Sequence, residues 1–149
     1  MNSDNCNELI EDFIHKYGEK KLAQYLEEQL SNFDNVLTIV GNKGSHKIPE
    51  EYLHGEVYAV SSGNLDLSSK ESTVAEYRDV LTNLIEKLKE RPWSKVYFIP
   101  TGPTTLVLQI KIIVYNVLRI STIDLFYSKG EYFELSFDYR ELSGSHENS

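Results

Sequence analysis

From residue 7 to residue 33, apolar residues recur at helical spacing. Leu9, Ile10, Phe13, Ile14 and Tyr17, followed by Leu22, Tyr25, Leu26, Leu30 and Phe33, alternate with Glu, Asp and Lys, the period of an amphipathic helix. Gly18 falls where the apolar stripe changes phase, so the segment reads as one kinked helix or two shorter ones. Residues 36–40 form a short β-branched run that opens into a glycine-containing loop, which predicts a central strand. Glu56–Ser61 predicts a second strand, followed by a polar loop through residues 61–64 and 66–72.

Between residues 72 and 91, Val74, Tyr77, Leu81, Leu84 and Leu88 step by three and four, with Val80 and Ile85 widening the stripe. This predicts a helix that Ser72 or Thr73 caps and Pro92 ends. Lys95–Ile99 is a β-rich run stopped by Pro100. The stretch 104–118, TTLVLQIKIIVYNVL, is ambiguous because its β-branched residues would also alternate passably as a strand. Its length and its start decide for helix: it is too long for an ordinary strand, and Gly102-Pro103 supplies a turn with proline at the first helical position. Apolar residues nearly encircle it, so it is expected to be buried on two sides. Residues 120–127 and 131–140 read as strands of a hairpin turning at Ser128, Lys129 and Gly130, and residues 143–149 as a polar tail.

Strands alternating with helices and closing on a hairpin imply an α/β fold: an open, mostly parallel sheet flanked by helices, with a C-terminal antiparallel hairpin. The chain has 149 residues, room for one ordinary domain, expected over residues 1–142 with residues 7–33 as its N-terminal helical segment. Acidic residues number 23 against 15 basic ones, a formal net charge of -8, which argues against long nucleic acid or an anionic membrane as partner. The single cysteine, Cys6, excludes an intrachain disulfide framework and fits a reducing compartment. The polar, acidic start and the lack of a long apolar run lead to the expectation of a cytoplasmic, unprocessed protein.

In an open α/β sheet, ligands bind at the carboxyl ends of the strands. The loop after the first predicted strand holds Gly41, Asn42, Lys43, Gly44, Ser45, His46 and Lys47, a local basic patch on an acidic chain. It lacks the offsets of a phosphate loop and of a dinucleotide fingerprint, which disfavours nucleoside triphosphate hydrolysis; the bland alternative is a solvated surface loop. After the second strand, Ser61, Ser62, Gly63 and Asn64 offer small side chains, hydroxyls and an amide for base or sugar recognition, although an ordinary Asn/Gly turn would look the same. After the third, Thr101, Gly102, Thr104 and Thr105 place hydroxyls and free N–H groups at a helix start, geometry that receives an anion or merely caps a helix.

Other candidates carry less. His15, His46, His54 and His146 lack metal-ligand spacing, and the serines lack a nucleophile elbow, so no metal, cofactor or hydrolytic triad is expected. Glu27 and Glu28 read as a solvated helix face. Tyr58, Tyr97, Tyr115, Tyr127, Tyr132 and Tyr139 could stack on a base, but their strand and helix positions favour packing.

The order of elements and the segment KVYFIPTGPTTLVLQIKIIVYNVL, together with residues 123–127 (IDLFY) and 130–135 (GEYFEL), resemble the CARF and SAVED domains of bacterial antiviral systems, over residues 36–142. The resemblance implies a Rossmann-like unit that binds a cyclic oligonucleotide second messenger with the three loops, as a sensor or sequestering module. Such domains usually work in pairs, so it also implies a homodimer with a composite pocket on its twofold axis, or action on a separate effector protein, since none is attached here. The runner-up readings are a small metal-independent ring nuclease, in which Lys43, His46 or Lys47 would act, and an adaptor that docks through the acidic first helix.

Overall fold

The computed structural model describes residues 3–44 and 47–144, with the backbone alone for residues 31–34. The chain divides into two compact units, Met1–Asp34 and Asn35–Ser149.

In the first unit, helices α1 (Ser3–Tyr17) and α2 (Glu19–Asp34) replace a single long helix. Gly18 separates them with φ +92°, a left-handed conformation that glycine adopts without the Cβ clash of other residues. The Phe13 and Tyr25 rings lie 6.2 Å apart, whereas twelve residues of straight helix would separate them by about 18 Å. The two helices therefore fold back on each other.

The second unit contains β1 (Val36–Asn42), β2 (Glu56–Ser61), α3 (Lys70–Leu88), β3 (Lys95–Ile99), α4 (Thr104–Leu118), β4 (Ile123–Ser128), β5 (Glu131–Leu135) and the short helix α5 (Tyr139–Gly144). The strands form one sheet in the order β2-β1-β3-β4-β5. The first four run parallel, and β5 is antiparallel to β4, so the α/β class, the mostly parallel sheet and the terminal hairpin expected from the pattern are all present. Lys129 and Gly130 both have positive φ, at 51° and 81°, the two-residue turn that matches the twist of its strands.

Helices α3 and α4 cover one face. Leu84 and Leu88 of α3 and Leu106, Ile110 and Val114 of α4 close on Leu37, Ile39, Val96 and Phe98 of the sheet. On the other face, Val40, Tyr97, Ile99 and Leu125 pack under Ile48, Tyr52 and Leu53. These three belong to the β1–β2 connection, whose regular structure is a 3₁₀ turn at Glu50–Tyr52. The connection is anchored by the buried Thr38, whose hydroxyl donates to the His54 carbonyl and accepts from the His54 N–H at 2.9 Å.

Several boundaries differ from the pattern. The start of α3 lies at Lys70, because Ser69 is its cap: Ser69 Oγ accepts from the Ser72 N–H at 3.0 Å, and Ser72 Oγ accepts from the Ser69 N–H at 3.1 Å. Ser72 thus completes a capping box from inside the first turn. Pro103 is the N-cap of α4 rather than its first helical residue, with ψ 134°. The strand expected through residue 140 ends at Leu135; Asp138 then accepts from the N–H groups of Arg140 and Glu141, starting α5 where β pairing was expected. Part of the expected polar tail, Ser143 and Gly144, belongs to α5, and residues 145–149 lie outside the described residues.

Candidate functional site

Strand β1 runs two residues further than the pattern predicts, so Gly41 and Asn42 belong to the sheet. The extension is cross-linked to both neighbours. The Thr101 hydroxyl accepts from the Asn42 N–H at 2.9 Å and donates to the Asn42 carbonyl at 2.8 Å. The buried Ser61 hydroxyl donates to the Gly41 carbonyl at 2.8 Å, and the Lys43 N–H reaches the Ser61 carbonyl at 2.7 Å. The Gly63 N–H donates to Asn42 Oδ1 at 3.2 Å.

Gly41 is required by closeness, since a Cβ there would stand 2.2 Å from the Thr101 carbonyl oxygen. Gly102, at φ +100°, is required by conformation as well: its Cβ would lie 2.9 Å from that of Asn42. The three loops singled out in the sequence therefore meet at one end of the sheet. Much of their polar chemistry is spent in holding them together, the Thr101 and Ser61 hydroxyls above all.

Beside this junction a cavity of about 720 Å³ opens on the sheet face that no helix of this unit covers. Val40, Val57 and Ala59 line it from the strands, and Ile48 and Leu53 from the β1–β2 connection. Lys43, Gly44, Lys47 and Glu50 complete it, all four exposed. Among the described residues neither lysine has an ion-pair partner, whereas Lys87, Arg91 and Lys111 all do. Two cations without an ion-pair partner among the described residues thus line a mostly apolar site, together with the Glu50 carboxylate.

Of the predicted residues, Lys43, Gly44 and Lys47 line the cavity, while Gly41, Asn42, Ser61, Gly63, Thr101 and Gly102 form the junction next to it. Ser45 and His46 lie outside the described residues. Ser62, Asn64 and Thr104 are exposed and are not among the residues lining the cavity. Thr105 faces α3 instead, sharing a 2.6 Å hydrogen bond with the Tyr77 hydroxyl. None of the six tyrosines considered for stacking lines the cavity: Tyr97 is buried against His54, Tyr115 meets Tyr139, and Tyr127 meets Tyr132.

Sequence reasoning missed the apolar half of the site. Ile48, Leu53, Val57 and Ala59 carry no chemical signature; the available signal was the apolar pair Tyr52-Leu53 and Ile48 inside an otherwise polar connection. A second charged cluster lies on the helix face of the sheet, where Lys87 Nζ meets Glu56 at 2.6 Å and Glu90 at 2.8 Å, and Arg91 meets Glu56 at 2.9 Å. The Lys87 hydrogen bond holds the Glu56 carboxyl below its usual range. Burial pulls Lys87 down, but its bonds to Glu56 and Glu90 outweigh it and leave the ammonium above its ordinary value. These charges satisfy one another and clasp α3 to β2.

Among the described residues, no group of three His, Cys, Asp or Glu side chains is placed to hold a metal ion, and no helix is long and apolar enough to cross a membrane. Comparison with protein-family models, curated proteins and solved structures returns no match to this chain.

Proposed function

We propose that this chain is a ligand-binding module for a nucleotide-derived anion, with a cyclic oligonucleotide second messenger as the first ligand class, acting as a sensor or sequestering protein in bacterial antiviral signalling. The supporting observation is the cavity in which Lys43 and Lys47, without ion-pair partners among the described residues, stand over Val40, Ala59, Ile48 and Leu53. A nucleotide presents two unlike surfaces, an apolar ring and a charged phosphate. Such a ligand matches an apolar floor edged by two cations that have no ion-pair partner among the described residues, with Glu50 as the one carboxylate in the lining. The volume falls within the range of small-molecule sites, about 300–1,000 Å³. The messenger class itself rests on the resemblance of the segments around Lys95–Ile99 and Thr104–Leu118 to CARF and SAVED domains. The single cysteine makes the cytoplasm the proposed compartment.

The test is a thermal-shift screen against cyclic di-, tri- and tetranucleotides, with chromatography of the recovered ligand. The expected result is a concentration-dependent rise in Tm with the ligand intact. Lys43→Ala and Lys47→Ala should each weaken binding on the order of tenfold, the effect of losing one charge-assisted contact. Conversion of the ligand to a linear product would replace the sensor with a ring nuclease. A panel without shift or conversion would overturn the nucleotide reading.

A further inference from the structure

A smaller cleft, of about 260 Å³, opens where the carboxyl end of α4 meets the segment joining β5 to α5. Asp124 near the start of β4 pairs with Leu135 at the end of β5, so the residues before β4 and after β5 share one end of the sheet. It is the end where the parallel strands begin, opposite the three converging loops. Arg119, Ser121, Ser136 and Arg140 supply polar lining, and Tyr115 and Ile120 an apolar wall. Tyr139 of α5 holds that wall, its ring edge-on to Tyr115 at 5.9 Å.

The chain carries 23 acidic residues, and its arginines are Arg78, Arg91, Arg119 and Arg140. Half of these arginines line this one cleft. Neither of their guanidiniums has an ion-pair or hydrogen-bond partner among the described residues, whereas Arg91 meets Glu56. Asp138, the carboxylate in the lining, turns Oδ1 to the backbone, accepting from the N–H groups of Arg140 at 2.9 Å and Glu141 at 3.3 Å.

The fold does not call for arginine at either position. Arg119 ends α4 in the left-handed conformation, φ 59° and ψ 25°, which glycine or asparagine adopts at less cost. The cap needs only its backbone N–H, which donates to the Tyr115 carbonyl at 2.8 Å. A cation at the carboxyl end of a helix gains from the dipole, but Arg140 stands in the first turn of α5, where that gain reverses.

We propose that this cleft is a binding site for a phosphate group. Two guanidiniums from separate elements can grip one group from two sides, and the lining serines offer hydroxyl donors. A carboxylate has two coplanar oxygens, which a single guanidinium fork satisfies. A phosphate monoester has three terminal oxygens pointing apart, so it can engage both forks at once. The volume agrees: it lies below the about 300–1,000 Å³ of sites that enclose a whole small molecule. It suits one phosphate group, carried on a phosphorylated side chain or free in solution. The site is separate from the cavity beside Lys43 and does not depend on what binds there.

Arginine Nε–H signals in a proton–nitrogen NMR spectrum of the full chain report each guanidinium separately, with Arg119→Lys and Arg140→Lys identifying the two in the cleft. Inorganic phosphate and blocked phosphoserine should each shift these two signals together and leave Arg78 and Arg91 in place. Acetate should bind at least about tenfold more weakly. Tighter binding of blocked phosphoserine assigns the site to a phosphorylated side chain, and tighter binding of inorganic phosphate assigns it to the free ion. Arg119→Lys and Arg140→Lys keep the charge and lose the fork. Each should weaken phosphate binding about tenfold with an unchanged circular dichroism spectrum. If Arg119→Lys loses its fold, Arg119→Asn, suited to the left-handed position, replaces it. Lys43→Ala should leave phosphate binding at the cleft unchanged, so this test and the nucleotide screen succeed or fail separately. Phosphate that shifts neither signal, shifts all the arginines alike, or binds the lysine variants undiminished would each overturn the proposal, as would acetate binding as tightly as phosphate.

Discussion

On the helix side of the sheet, α3 and α4 bury Leu37, Phe98, Leu106 and Ile110 completely, whereas the other side is crossed by the β1–β2 connection and keeps a cavity over Val40 and Ala59. The same strands supply both floors, so strand composition is not the cause. The difference follows from the direction of each crossover. From β2 to β3 and from β3 to β4 the chain moves the same way across the sheet, and parallel crossovers of one hand then place both helices on one face. From β1 to β2 it moves the opposite way, so that connection falls on the other face. A short connection there, with a single 3₁₀ turn, seals less area than two helices. The cavity over Val40 and Ala59 is what remains.

Substitutions can separate the two faces. Phe98→Ala, in the fully buried layer under the helices, should cost about 3–5 kcal/mol in chemical denaturation, the usual range for deleting a core phenylalanine. Gly41→Ala should cost about 1–3 kcal/mol, because its methyl meets the Thr101 carbonyl and must push the β3–α4 turn away from β1. A cost near zero would show that the junction yields freely.

Ile48→Ala, in the half-buried connection, should cost only about 1.5 kcal/mol. A loss as large as that at Phe98 would mean that the two faces are equally tight. Glu56→Gln should cost about 1 kcal/mol at neutral pH, a modest value because the Glu56 side chain is 38% exposed and water screens the pair. Since folding lowers the Glu56 pKa, its contribution is complete above the ordinary glutamate range and fades as pH falls through the lowered value. The gap between wild type and variant should therefore close in acid, as read from denaturation midpoints across pH. Smallest of all, Lys43→Ala and Lys47→Ala should leave Tm unchanged, since both side chains are exposed and neither has an ion-pair partner among the described residues.

What the sequence made legible was local. The helical state of Thr104–Leu118 follows from its length and from Gly102-Pro103 despite its β-branched content, and the hairpin follows from Lys129-Gly130. The convergence of the loops after β1, β2 and β3 follows from the rule for parallel strands, and Lys43 and Lys47 stand out by charge. The cavity's floor did not stand out, because periodicity says that Val57 and Ala59 alternate with Tyr58 but not which face lies uncovered. That depends on strand order, a long-range property. The strand expected through Arg140 failed for a local reason: an Asp138 cap outweighs the β-forming character of Phe137 and Tyr139.

The position of β1 inside the sheet also bears on the order in which the molecule is made. Both of its neighbours, Glu56–Ser61 and Lys95–Ile99, come later in the chain. As synthesis proceeds from the amino end, Leu37 and Ile39 must wait for residues nearly sixty positions downstream before β3 can flank them. During that interval an apolar strand with two unpaired edges is open to wrong partners.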